Sequence, residues 1–238
     1  MVTVDGTLST GDPWTTGTSA DRITLTVDGG RPLSAEAIAT VDRACDQAED
    51  LAEPGPVLVR ISGAPGPTWS EGLTVARVSK WERALRRLER LPTVTIAVAE
   101  GDCGGPALDA LLATDYRVAA GSLRLLSTVA EGVPWPGMAL YRLGRQGGYT
   151  AAIRRMALFG VPLEAADALA LHLVDEVTDD VVAAVARVGA GTAGFSGPAL
   201  AIRRQLLLDA ATIGFDEALG GHLAACDRIL RRRSGPAA

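Results

Sequence analysis

Aromatic residues make up only 4% of the 238-residue chain, and it contains two histidines, three cysteines and a single lysine, Lys80. Each scarcity excludes something. Four Trp, three Tyr and three Phe are too few for the stacking platform that single-stranded nucleic-acid binders need. A net charge of −5, with Arg supplying nearly all the positive charge, argues against a dedicated DNA or membrane-surface protein. With only His172 and His222 available, a zinc site of ordinary ligands is not expected and Ser-His or Cys-His catalysis is restricted. Cys45, Cys103 and Cys226 are far apart, form no CxxC pair and follow no signal peptide, so a reducing, cytoplasmic location is expected. No apolar run approaches the ~18 residues that a membrane span requires.

What the chain does have is apolar mass. Hydrophobic residues are 47% of the total, mostly Ala, Val and Leu, against 21% charged, which supplies a core and excludes overall disorder. Residues 1–20, rich in Gly, Thr, Ser and Asp, read as a mobile arm. Ile23 to Val27 alternates as a strand; Ser34 caps a helix reaching about Ala52; Val57 to Ile61 is a second strand. Ser62 to Gly72, with three glycines and two prolines, is a loop. Val78 to Leu91 is an amphipathic helix, and Val94 to Ala99 a strand apolar on both faces.

A Gly-rich turn from Gly101, a short helix from Pro106 to Ala113, strands at Tyr116 to Ala119 and Leu123 to Leu126, a loop at Gly132 to Gly137 and a helix from Met138 follow. Leu163 to Glu176 reads as a helix running into a strand, and everything beyond Asp180 as helix, broken at Gly189 to Gly197 and near Gly214. Alternating strands and helices predict an α/β core with parallel pairing, over residues 21–185, and a helical region over 186–238.

A buried strand that runs into glycines and then a helix places unpaired backbone N–H groups where an anion or polarised oxygen can sit. Val98 to Pro106 has that form, but lacks the spacing of a P-loop or a GxGxxG turn, and such a corner is equally often a packing feature. Thr95 to Ala120, TIAVAEGDCGGPALDALLATDYRVAA, resembles the signature of the crotonase (enoyl-CoA hydratase/isomerase) superfamily, with Gly101 and Asp115 at that family's spacing. Glu131 to Gly137 and Val161 to Val177 resemble two further blocks, so the likeness spans residues 22–185. It implies a crotonase-like spiral of ββα units. Trp135 to Leu143, WPGMALYRL, is most similar to the hydratase-like proteins that work beside a type III polyketide synthase in making 3,5-dihydroxyphenylglycine.

The resemblance implies a lyase acting on an acyl-CoA or polyketide thioester, with no metal and no cofactor beyond the CoA of the substrate. It also implies a polyketide synthase partner and a homotrimer or hexamer built through the C-terminal helices. Superfamily chemistry uses two backbone N–H donors for a thioester oxygen that becomes an enolate, a term of ~3 kcal/mol per donor. Their counterparts are Leu73, after Gly72, and Pro106, which has no N–H. Either Gly105 supplies the second donor or that half of the hole is gone.

The family's first glutamate falls on Asp109, which also suits a helix's first turn as dipole compensation. The second falls on Val129, with Glu131 two residues further along as the available carboxylate. Cys103 reads as a packed thiol and His172 as structural, while Trp135 and Glu71 stay open between pocket and loop. Arg203, Arg204, Arg228, Arg231, Arg232 and Arg233 read mostly as a solvated face, with phosphate recognition as the alternative.

Overall fold

The computed structural model describes residues 16–19, 22–51, 55–130 and 132–233. Strands β1 (Thr16–Ser19), β2 (Arg22–Asp28), β3 (Val57–Gly63), β4 (Thr95–Gly104) and β5 (Tyr116–Ala119) lie side by side in that order, and β10 (Glu176–Val177) closes the far edge. Strands β2 to β5 and β10 are parallel; β1 runs antiparallel to β2. Thr16–Ser19 is therefore an edge strand, where the composition predicts arm, and the rest of that arm lies outside the described residues.

Helices α1 (Ala35–Asp50), α2 (Val75–Leu88) and α3 (Pro106–Leu112) cover one face of the sheet. Ser34 Oγ accepts the Ala37 N–H and starts α1, and Thr74 does the same for α2 through Arg77. That cap starts α2 three residues before the expected Val78, and its last turn ends short of Leu91. The main core lies between these helices and the sheet, filled by Leu25, Val41, Val59, Trp81, Leu85, Ala97 and Leu111. On the opposite face a smaller cluster joins Val94 and Ile96 to Val188 of α7 (Val181–Gly191).

The glycine segment predicted as a turn is instead strand, because β4 changes partner partway along. Ile96–Ala99 pairs with β5, whereas Asp102–Gly104 pairs with β6 (Arg124–Leu126), and Gly101 sits between them at φ +62°. Against β3, Ile61 faces Ala99 but Gly63 faces Cys103, so β4 holds extra residues there and bulges. The bend carries the chain into a second sheet direction, continued by β9 (Leu163–Glu164) antiparallel to β6. This is a mixed α/β fold with a parallel sheet and C-terminal helices.

Downstream, β7 (Val129–Ala130) and β8 (Val133–Pro134) form a small hairpin inside the expected loop. Then come α4 (Met138–Gln146), α5 (Ala151–Phe159) and α6 (Ala165–Ala170); β9 takes the first two residues of the segment expected as helix. Helices α8 (Pro198–Asp209) and α9 (Phe215–Arg233) finish the described chain.

Candidate active site

The loop after β3, the end of β4 with the start of α3, and residues 127–130 with 132–139 meet on one side of the sheet. Two tryptophans join the first and third of these, with ring centroids 5.1 Å apart and planes at 87°. The Trp69 indole N–H donates to the Val129 carbonyl at 2.8 Å, and the Trp135 backbone N–H to the Thr128 carbonyl at 2.8 Å. Trp135 is thus a wall of the pocket as well as a loop anchor. Between these groups lies a narrow cavity of about 40 Å³, room for a few waters, lined mainly by apolar side chains together with Asp109, Glu82 and Thr128. A wider cleft of about 430 Å³ adjoins it across Ser127 and Thr128, walled by Pro65, Gly66, Pro67 and Gly104.

Asp109 projects from the first turn of α3 into the narrow cavity, and its Oδ2 accepts the Trp81 indole N–H at 3.1 Å. Burial pushes its carboxyl up to about 7, with the Glu82 charge adding to the effect, while Arg142 and the Trp81 and Ala139 N–H groups oppose it. A carboxyl near neutrality both gives and takes protons in the working range of an enzyme. Glu82, one residue after Trp81 on α2, lines the same cavity and is also raised by burial, against the pull of Arg142. Arg142 of α4 reaches Glu82 at 2.9 Å and Glu89 at 2.8 Å, and Arg86 completes the row with Glu89 at 2.8 Å. The result is a mostly buried ladder of alternating charge ending beside Asp109.

The two expected oxyanion donors are both spent within the chain. The Leu73 N–H closes a turn on the Ser70 carbonyl at 3.0 Å, and the Gly105 N–H donates to Thr128 Oγ1 at 2.9 Å. Leu73, Gly105 and Pro106 do line the cavity, but they do not present two open N–H groups. Gly105 has φ +52°, and a Cβ there would stand 2.4 Å from Pro65 Cγ, so only glycine makes this corner. Gly72, at φ +67°, is exposed and lies outside the cavity lining, its carbonyl facing Arg77 Nη1 at 3.4 Å.

Glu131 lies outside the described residues; its neighbour Val129 is exposed and serves the site through its carbonyl. Cys103 is fully buried, and burial drives its thiol well above the usual range. His172 lies two residues beyond α6, on the surface in the left-handed region, φ +56°, and is absent from the cavity lining. Glu71 is exposed and absent from both cavity linings. Of the C-terminal arginines, Arg203, Arg228 and Arg231 are exposed. Arg204 is neither on a solvated face nor a phosphate ligand, because it is buried against Asp115.

Glu82, Arg142 and Thr128 escaped the sequence reading. For Glu82 a signal existed: it stands seven residues before Glu89, on the turns that also bury Trp81, Leu85 and Leu88. Two acids beside the apolar face of a helix need a cation from another element, and no local pattern tells that it is Arg142.

No protein-family model matches the chain. A relative from Amycolatopsis orientalis called enoyl-CoA-hydratase is 49% identical over 212 residues, covering 89% of this chain and 97% of its own. Among solved structures, an enoyl-CoA hydratase from Shewanella pealeana superposes with a TM-score of 0.79 at 18% identity, over 94% of this chain and 89% of the other. One from Polaromonas sp. JS666 gives a TM-score of 0.78 at 20% identity, over 91% of each chain.

Proposed function

The chain belongs to the crotonase (enoyl-CoA hydratase/isomerase) superfamily, and we propose that within it the protein dehydrates and helps aromatise a malonyl-CoA-derived polyketide thioester beside a type III polyketide synthase. The product would be 3,5-dihydroxyphenylacetyl-CoA, the precursor of dihydroxyphenylglycine. The observation that carries this reading is Asp109, a carboxyl near neutrality in an apolar cavity at the place of the family's first glutamate. The Trp135 to Leu143 phrase supports the choice of substrate class, and Val129 at the family's second glutamate position speaks against ordinary fatty-acyl hydration.

In the proposed step, the carboxylate of Asp109 takes a proton from the carbon next to the thioester carbonyl, and the electron pair moves onto the carbonyl oxygen as an enolate. The enolate then re-forms the carbonyl and expels the β-hydroxyl, which leaves as water with a proton from a second acid, Glu131. The reaction uses no metal and no cofactor apart from the substrate's CoA. We place it in the cytoplasm, in a trimer or a pair of trimers.

A second reading, a non-catalytic accessory subunit of the synthase, draws on the engaged N–H groups of Leu73 and Gly105 and on the small cavity. The test is malonyl-CoA turnover by the synthase with wild-type protein, Asp109→Ala and Glu131→Ala. Loss of the aromatic product with either variant supports catalysis; enhancement equal to wild type with both leaves the accessory role. Hydration of crotonyl-CoA at an ordinary enzymatic rate would overturn the specialised substrate.

A further inference from the structure

Pro106 removes an N–H from the turn at which the proposed function puts the thioester oxygen, and the structure puts a hydroxyl beside the gap. Thr128 Oγ1 accepts the Gly105 N–H at 2.9 Å. A hydroxyl that accepts one hydrogen bond still has its own proton to give. Among the described residues no acceptor takes it. The bond from Gly105 also polarises the O–H, because donation to a hydroxyl oxygen makes its proton a better donor.

Position and rigidity agree with a role at the reacting group. Thr128 lines both the narrow cavity, with Asp109, and the wider cleft, so it stands where one opens into the other. Its carbonyl is tied to the Trp135 N–H at 2.8 Å, and the next carbonyl, of Val129, to the Trp69 indole at 2.8 Å. The two tryptophans pack edge to face, so the segment is clamped from both sides. A donor fixed before the substrate arrives costs no reorganisation when charge develops on the oxygen.

We propose that the Thr128 hydroxyl, backed by the Gly105 peptide N–H, donates the hydrogen bond to the thioester oxygen that the proline nitrogen at position 106, having no hydrogen, cannot. This rests on the reading that the site takes a CoA thioester. Thr128 makes and breaks no bond to carbon; its proton stays on Oγ1 while the enolate oxygen accepts it as a hydrogen bond. A hydroxyl also rotates, so the donor can follow the oxygen as the carbonyl becomes an enolate.

The test uses acetoacetyl-CoA, a 3-oxoacyl thioester whose enolate absorbs in the near ultraviolet. Binding affinity and the enolate band at saturation are measured separately for the wild type, Thr128→Ser, Thr128→Val and Thr128→Ala. Wild type and Thr128→Ser are expected to bind the enolate, and Thr128→Val and Thr128→Ala to lower the enolate-to-keto ratio about a hundredfold, the size of one lost donor. A structural role alone would weaken binding without changing that ratio. An undiminished band in bound Thr128→Val or Thr128→Ala, or no band in the bound wild type, overturns the proposal while leaving the substrate class intact. Wild-type protein that does not bind acetoacetyl-CoA overturns the substrate class, and this proposal falls with it. Should Thr128→Val fail to fold, the contrast of Ser with Ala decides.

Discussion

Arg204 and Asp115, 89 residues apart in sequence, form a two-pronged pair: Arg204 Nη2 meets Asp115 Oδ2 at 2.6 Å and Nε meets Oδ1 at 3.0 Å. The same guanidinium donates to the Leu91 and Thr93 carbonyls, and Asp115 Oδ2 also accepts the Thr95 N–H at 2.8 Å. A helix of the C-terminal region is thereby bolted to the start of β4 and β5. The aspartate that helped identify the family signature is thus a structural anchor.

Replacing Arg204 by Leu is expected to lower stability by about 3 kcal/mol, because it leaves a carboxylate and two carbonyls without their cation. Chemical denaturation checks this. Arg231→Ala, which breaks an exposed pair with Asp227 on α9, should change stability by less than about 0.5 kcal/mol in the same assay.

Asp109 gives stability a definite pH dependence. Its carboxyl in the fold lies near 7, above the ~4 of an unfolded chain, so between those values the folded state holds a proton that the unfolded state has lost. Its contribution is complete below about pH 4 and is lost as the pH rises through about 7. At ~1.4 kcal/mol per tenfold change in proton affinity, the loss is about 4 kcal/mol at most. Denaturant midpoints measured from pH 4 to pH 8 should show this fall for wild type and a flatter line for Asp109→Asn.

Thiol reactivity separates the three cysteines. Cys226 is exposed, while burial raises the thiol of Cys45 to about 12 and that of Cys103 further. Folded protein should alkylate at Cys226 alone at pH 8, and all three thiols should react in denaturant, as counted by mass spectrometry.

Gly105→Ala tests the corner at the head of α3. The new methyl would collide with the Pro65 ring in a backbone region that disfavours side chains, so a loss of about 1–3 kcal/mol is expected. The displaced corner should also weaken thioester binding, measured by calorimetry. Gly72→Ala, where nothing lies within 4 Å of the added carbon, bears only the backbone part of that cost.

Much of the fold was legible in the sequence. Ser34 caps the helix it precedes, the apolar run at Val94 to Ala99 is strand, and Pro106 opens α3 where a missing N–H costs nothing. Boundaries slipped where a distant partner decided them. β4 runs through its glycines because β6 supplies a second row of hydrogen bonds, and no local propensity contains that pairing.

The sequence by itself determined the alternation of strand and helix, the membership that 49% identity and the Thr95 to Ala120 signature express, and the placement of Asp109 on the turn after Pro106. Those follow from local rules: period, capping and spacing. Only the tertiary structure decided that Gly105 spends its N–H on Thr128, that Glu82 shares Asp109's cavity with Arg142 behind it, and that Arg204 is a bolt. Hydrogen-bond partners and buried charges are settled by what comes within about 3 Å across elements far apart in sequence, and that proximity is a property of the folded chain alone.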